Sequence, residues 1–205
     1  GSGHPRAIAG NWGDPHLIFP SGATADFRGI NQGIYNFLSA PNISVSVMTE
    51  DRDFVRWAPV RWGQVIHGSF VTKAYVTLRS GKTGQTLCVA VHASQYANFR
   101  TFDFDCANAS TYVNRTRVEL DDLNALQLSG GRFVAHGAGW EIFVNRRRLR
   151  KPLIIDPVTG QRTTAPVGDP RRYFLDVSFN LLDKDAKMTS KFGKSSLGRI
   201  APHGI

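Results

Sequence analysis

The sequence predicts an all-β protein, an antiparallel β-sandwich with long loops and little helix. Three observations lead there. Apolar and polar residues alternate with a period of two along most of the 205-residue chain. Turn-forming clusters recur about every eight to twelve residues, the spacing of sandwiches and barrels. Helical periodicity is weak throughout, with only 182–196 offering a poor amphipathic pattern.

The elements follow in order. ISVSVMTE (43–50) sets Val45 and Val47 against Ser44 and Ser46. SFVTKAYVTLRS (69–80) alternates Phe70, Thr72, Ala74, Val76 and Leu78 with Val71, Lys73, Tyr75 and Thr77. TLCVAVHAS (86–94) and NFRTFDFDC (98–106) read as a pair of strands carrying Cys88 and Cys106 on them or at their ends. TRVELDD (116–122), then 125–148 with turns at SGG and HGAG, then RRYFLDVSFNLL (171–182) continue the pattern. The Pro/Gly/Thr-rich stretch 156–172 reads as a long hairpin loop. No repeat or low-complexity linker interrupts the chain, so residues 13–205 form one domain after an N-terminal extension, 1–12.

Composition narrows the function classes. No run approaches the ~18–20 apolar residues of a membrane-spanning helix. The opening Gly1-Ser2-Gly3-His4-Pro5-Arg6 has no signal-peptide pattern, and a soluble mature piece of chain is expected. Cys88 and Cys106 lie eighteen positions apart. Bridged, they would contribute ~3 kcal/mol by loop entropy; as buried thiols they would suit a cytosolic protein. Three N-glycosylation sequons, at Asn42, Asn108 and Asn114, favour the bridged, extracellular alternative.

The formal charge of +9 favours acidic partners. The densest basic run is NRRRLRKP (145–152), with Arg146, Arg147, Arg148, Arg150 and Lys151. It reads either as a solvated hairpin turn or as a loop for anionic polysaccharide. No exposed stacking motif suggests nucleic acid. EDRDFVRWAPVRWGQ (50–64) mixes Phe54, Trp57 and Trp62 with Arg52, Arg56 and Arg61, a composition of interface hot spots and equally of a strand pair with tryptophans in the core.

Enzymatic motifs are sparse. The six histidines show no HxH or HExxH spacing, so no metal site is expected, and no nucleophile elbow or phosphate loop occurs. Asp103 with Asp105, and Asp121 with Asp122, are carboxylate pairs better read as solvated surface acids than as a glycosidase dyad. The Asp14-Pro15 bond is the one reactive feature. The Asp14 carboxylate can attack its own main-chain carbonyl, the proline nitrogen can leave with a proton from His16, and an anhydride then remains on Asp14. Asp156-Pro157 and Asp169-Pro170 lack the following histidine and act as internal controls. The plainer reading is that Gly13 and Pro15 shape the entry into a strand, with FPSG the turn into its partner.

These residues carry a resemblance. Residues 12–47 resemble the opening of von Willebrand factor type D domains. Gly13, Asp14, Pro15 and His16 match the family's GDPH, and Gly22 its turn glycine. Asp26, Phe27 and Gly29 match its second block, and Tyr35 and Phe37 its next strand. APHGI (201–205) resembles the start of the segment leading into the family's calcium loop. Two departures count against calcium. Ser21 stands where the family has a turn aspartate, and the usual cysteine framework is reduced to Cys88 and Cys106.

The resemblance implies an antiparallel β-sandwich in secreted or cell-surface proteins that assemble, adhere or form matrix; a non-enzymatic module is expected, with no cofactor other than the calcium that those departures put in doubt. Its partners would be further copies of itself, matrix or surface proteins, or acidic glycans. It also implies a capacity, used by some relatives, for cleavage between Asp14 and Pro15.

Overall fold

The structure, a computed structural model, describes residues 9–12, 16–18, 24–56, 64–94, 100–103, 113–114, 117–120, 122–156 and 158–182. The chain is all-β, as the alternation predicts. Two antiparallel sheets face each other, and no α-helix occurs among the described residues.

The strands are β1 (Ala9–Trp12), β2 (His16–Ile18), β3 (Thr24–Asp26), β4 (Ile34–Ala40), β5 (Ile43–Arg56), β6 (Gln64–Arg79), β7 (Thr86–His92) and β8 (Arg100–Asp103). They continue as β9 (Val113–Asn114), β10 (Arg117–Leu120), β11 (Leu123–Leu128), β12 (Arg132–Gly137), β13 (Trp140–Arg148), β14 (Pro152–Ile155), β15 (Arg162–Thr164) and β16 (Tyr173–Leu181). One sheet runs β10-β11-β12-β13-β16-β1-β2-β3. The other runs β15-β14-β5-β6-β7-β8-β9, with β4 also paired to β5.

Alternation explains what each strand buries. In β5, Val45 and Val47 are fully buried, opposite Val76 and Ala74 of β6. In β16, Leu175, Val177 and Phe179 are buried and pair with Arg146, Val144 and Ile142 of β13. These two faces, with Tyr35, Phe37 and Leu38 of β4 and Leu123, Ala125, Phe133 and Ala135 of β11 and β12, form one continuous core. Full burial of each large apolar side chain contributes about 1.5–3 kcal/mol.

The start of the chain is more ordered in sequence than the motif alone implies. Ala9–Trp12, within the stretch read as an extension, is a strand clasped between β16 and β2. β2 starts at His16 and pairs with β3, His16 opposite Asp26, as expected for a strand and its partner on either side of FPSG. Beyond β3, the chain passes close over β5. Gly29 lies against the Thr49 side chain, and Thr49 Oγ1 donates to Ile30 O at 2.8 Å. A side chain at position 29 would collide there.

Two expected loops are different from their prediction. NRRRLRKP is not a hairpin turn. Arg146–Arg148 extend β13 in one sheet, Pro152 opens β14 in the other, and residues 149–151 carry the chain across. Nor is 156–172 one long loop. Asp156 Oδ1 accepts from the Val158 and Thr159 amides at 2.7 and 3.1 Å and caps a tight turn into β15. A short 3-10 turn, Pro170–Arg172, then leads into β16. Aspartate at the start of each piece competes for backbone N–H groups, which makes a turn where composition alone suggests an open loop.

Candidate functional site

The sheet-to-sheet crossing concentrates the positive charge. Leu149 is buried, and its amide donates to Arg172 O at 2.7 Å. Arg172 in turn donates from Nε and Nη2 to Ala165 O at 2.9 and 2.5 Å, and the Ala165 amide donates to Pro152 O at 2.8 Å. Lys151 takes a left-handed backbone, φ 47°, at the corner, and its carbonyl accepts from Val55 N at 3.3 Å. These bonds hold three chain segments together, so side chains around the corner project from a fixed frame.

The five basic residues of the run have separate roles there. Arg146 lies over the Tyr173 ring, its guanidinium carbon 3.5 Å from the centroid. Register explains the contact: Arg146 pairs with Leu175, so Tyr173 is its diagonal neighbour on the same face. Arg147 Nε donates to Asp176 Oδ2 at 2.7 Å, again a diagonal pair. Asp176 is buried, its side chain only 6 % exposed. Arg147 therefore neutralises an interior carboxylate. Arg148 and Arg150 are exposed and have no ion-pair partner among the described residues.

Other arginines on adjoining segments are ion-paired. Arg171 makes a two-pronged bond to Asp169, Nε to Oδ1 at 2.9 Å and Nη2 to Oδ2 at 2.6 Å. That bond holds the Asp169 carboxyl below the usual range and raises Arg171. Arg162 Nη2 stands 3.6 Å from Asp53 Oδ2, whose other oxygen contacts His67 Nδ1 at 2.6 Å. Arg52 bonds Glu50, yet burial still lowers its pKa, with Glu50 opposing that effect and Arg171 adding to it.

The remaining candidates divide. Cys88 sits on β7 opposite Phe102 of β8 and is disulfide-bonded; Cys106 lies outside the described residues. Asn42 is exposed in the β4–β5 turn with φ 63°. Asn114 lies on β9, and Asn108 is outside the described residues. Arg56 ends β5, while Trp57, Arg61 and Trp62 fall outside. Asp14 and Pro15 also fall outside, as do Ser21, Gly22, Asp105, Asp121 and 183–205, which includes the possible helical turn and APHGI. Asp103 ends β8. Asp122, its pKa lowered first by the 2.5 Å bond from buried Ser80 Oγ, anchors the Ser80 turn, where that oxygen also accepts from the Lys82 and Thr83 amides.

One polar network has no counterpart in the sequence reading. Asn124, His136, Glu141 and Asn180 stand opposite one another on β11, β12, β13 and β16. His136 contacts Asn124 Oδ1 at 2.8 Å and Glu141 Oε2 at 2.5 Å, and Asn180 donates to Glu141 Oε1 at 3.2 Å. Its members spread over positions 124 to 180, and strand register brings them into line. No group of three or more metal-ligating side chains occurs among the described residues.

No protein-family model matches this chain, and neither a curated protein nor a solved structure matches it.

Proposed function

We propose that this chain is a non-enzymatic adhesive module of the von Willebrand factor type D kind, acting outside the cell. It attaches to an acidic partner surface, foremost an acidic glycan, through the basic corner between β13 and β14. The supporting observation is the pair Arg148 and Arg150, exposed without described ion partners on a hydrogen-bonded frame. Cations held on a rigid support lose less freedom on binding than cations on a free loop. Arg172, bonded to the Ala165 carbonyl and not to a carboxylate, adds positive charge on the same frame, which steers an anionic polymer toward the corner.

Retention of the whole chain on an immobilised sulfated glycan tests this. The wild type is expected to elute late and to move sharply earlier as salt rises. Arg148→Gln combined with Arg150→Gln should elute earlier at every salt concentration while melting like the wild type. Absent retention, or retention indifferent to both salt and the double substitution, refutes the proposal.

A further inference from the structure

The β5–β6 hairpin is irregular where it approaches β16. Met48 pairs with Lys73 and Thr49 with Val71, so Thr72 is an extra residue without a partner on β5. In a regular strand, neighbours such as Thr72 and Lys73 face opposite sides. The bulge lets both line one recess. Cross-strand register places Glu50 opposite Phe70 and Arg52 opposite Gly68, and the Phe70 ring packs on Phe174 at 5.2 Å. That packing brings Arg171 and Tyr173 over the hairpin. The result is a cavity of about 330 Å³ lined by Glu50, Arg52, Thr72, Lys73, Arg171 and Tyr173, among others.

Its polar groups are incompletely used. Thr72 is 95 % buried (5 % exposed), and its Oγ1 has no hydrogen-bond partner among the described residues. Arg52 Nε is likewise buried and unpartnered, although its Nη2 bonds Glu50. Lys73 has no ion-pair partner among the described residues. The Thr72 and Arg52 donors are closed off from solvent and wall the recess, which leaves Lys73 as its unpaired cation. Glu50 and Asp169 offset two of the three lining cations, leaving one positive charge in excess. The cavity size is at the lower end for small-molecule sites, about 300–1,000 Å³, and suits one ring-sized ligand.

We propose that this recess binds a single sugar-acid residue, a hexuronate. Its carboxylate meets Lys73, its hydroxyls meet the Glu50 carboxylate, and its ring lies near Tyr173, while the buried Thr72 and Arg52 groups form the wall behind it. A simple inorganic anion satisfies only the first of these. The inference deepens the acidic-glycan reading and rests on it for the choice of sugar, but it uses different residues from the exposed corner.

The test is amide NMR titration of the whole chain with sodium glucuronate, glucose and sodium sulfate at matched ionic strength. Saturable shifts at Thr72, Lys73 and Arg171 are expected with glucuronate, and neither control should saturate them. Lys73→Gln should weaken binding about ten-fold, the size of one charge-assisted bond, with an unchanged melting temperature. The Arg148→Gln, Arg150→Gln double variant should bind glucuronate like the wild type. Absent saturation, equal binding of sulfate or glucose, or full affinity in Lys73→Gln overturns the proposal. Failure here with glycan-column retention intact removes the recess alone, whereas glucuronate binding without retention removes the basic corner.

Discussion

Replacing Arg147 should destabilise the protein, although it is one of three consecutive arginines in an exposed-looking basic run. Its Nε bond to Asp176 spans 2.7 Å, and the two side chains are 57 % and 6 % exposed. Breaking a fully buried ion pair by removing one member costs about 3–5 kcal/mol. An exposed pair contributes about 0.2–1 kcal/mol. Arg147 is solvated while Asp176 is interior, so Arg147→Gln should cost about 2 kcal/mol, between these limits. For a domain of this size, that lowers Tm by about 4–8 °C.

Urea unfolding at neutral pH provides the assay, with Arg148→Gln as the internal comparison. Arg148→Gln should stay within about 0.5 kcal/mol of the wild type. Adding Asp176→Asn to Arg147→Gln should recover part of the loss, because the interior charge that Arg147 balances is then gone. Equal stabilities for the two single variants, or no recovery in the double, would refute the reasoning. The outcome also governs binding studies, since lost glycan retention in an Arg147 variant would report altered folding.

Four other perturbations address the frame. Gly29→Ala places a Cβ within 2.8 Å of Thr49 Cβ and Cγ2 and should cost about 1–3 kcal/mol by overpacking in urea unfolding; a wild-type midpoint refutes the close approach. Glu141→Leu strips His136 Nε2 and Asn180 Nδ2 of their acceptor and should cost about 1–3 kcal/mol; a neutral result shows that the ladder does not support the sheet. Asp169 contributes stability above the usual carboxylate pKa, lost as pH falls through its depressed folded value. Asp169→Asn should therefore lower neutral-pH stability and flatten the acid unfolding curve. The Asp156 and Asp169 carboxylates are bound to nearby donors, so acid should cut Asp156-Pro157 and Asp169-Pro170 faster in urea-unfolded than in native chain, as read by mass. Equal rates refute that protection.

Strand-level structure was readable because side-chain direction in a strand depends only on local alternation. Val45, Val47, Val76 and Leu78 accordingly occupy the core. The same rule misleads at Thr72 and Lys73, where a bulge changes the direction of one neighbour. Bulges are set by pairing between distant segments and leave no residue signature. The basic run was visible in the sequence, but its division was not. Arg147 belongs to Asp176, 29 positions later, and Arg146 to Tyr173, through a register that no local pattern encodes. Arg52 stands out in the sequence for its aromatic neighbours, whereas its incomplete hydrogen bonding depends on the packing around it. Asp156 and Asp169 stand in the sequence as Asp-Pro dipeptides, but the amides that each carboxylate caps are fixed by the turn that follows.

The position of β1 bears on that cleavage question. Asp14 and Pro15 fall in sequence between two strands that are immediate neighbours in the sheet, and β1 is hydrogen-bonded to β16 on its other side. A nick at this bond would free a new chain end without freeing the piece that bears it. The piece N-terminal to the cut would stay threaded in the sheet through β1 as a noncovalent strand. A cut molecule would therefore travel as an intact one through size exclusion, and its two parts would separate only in denaturant.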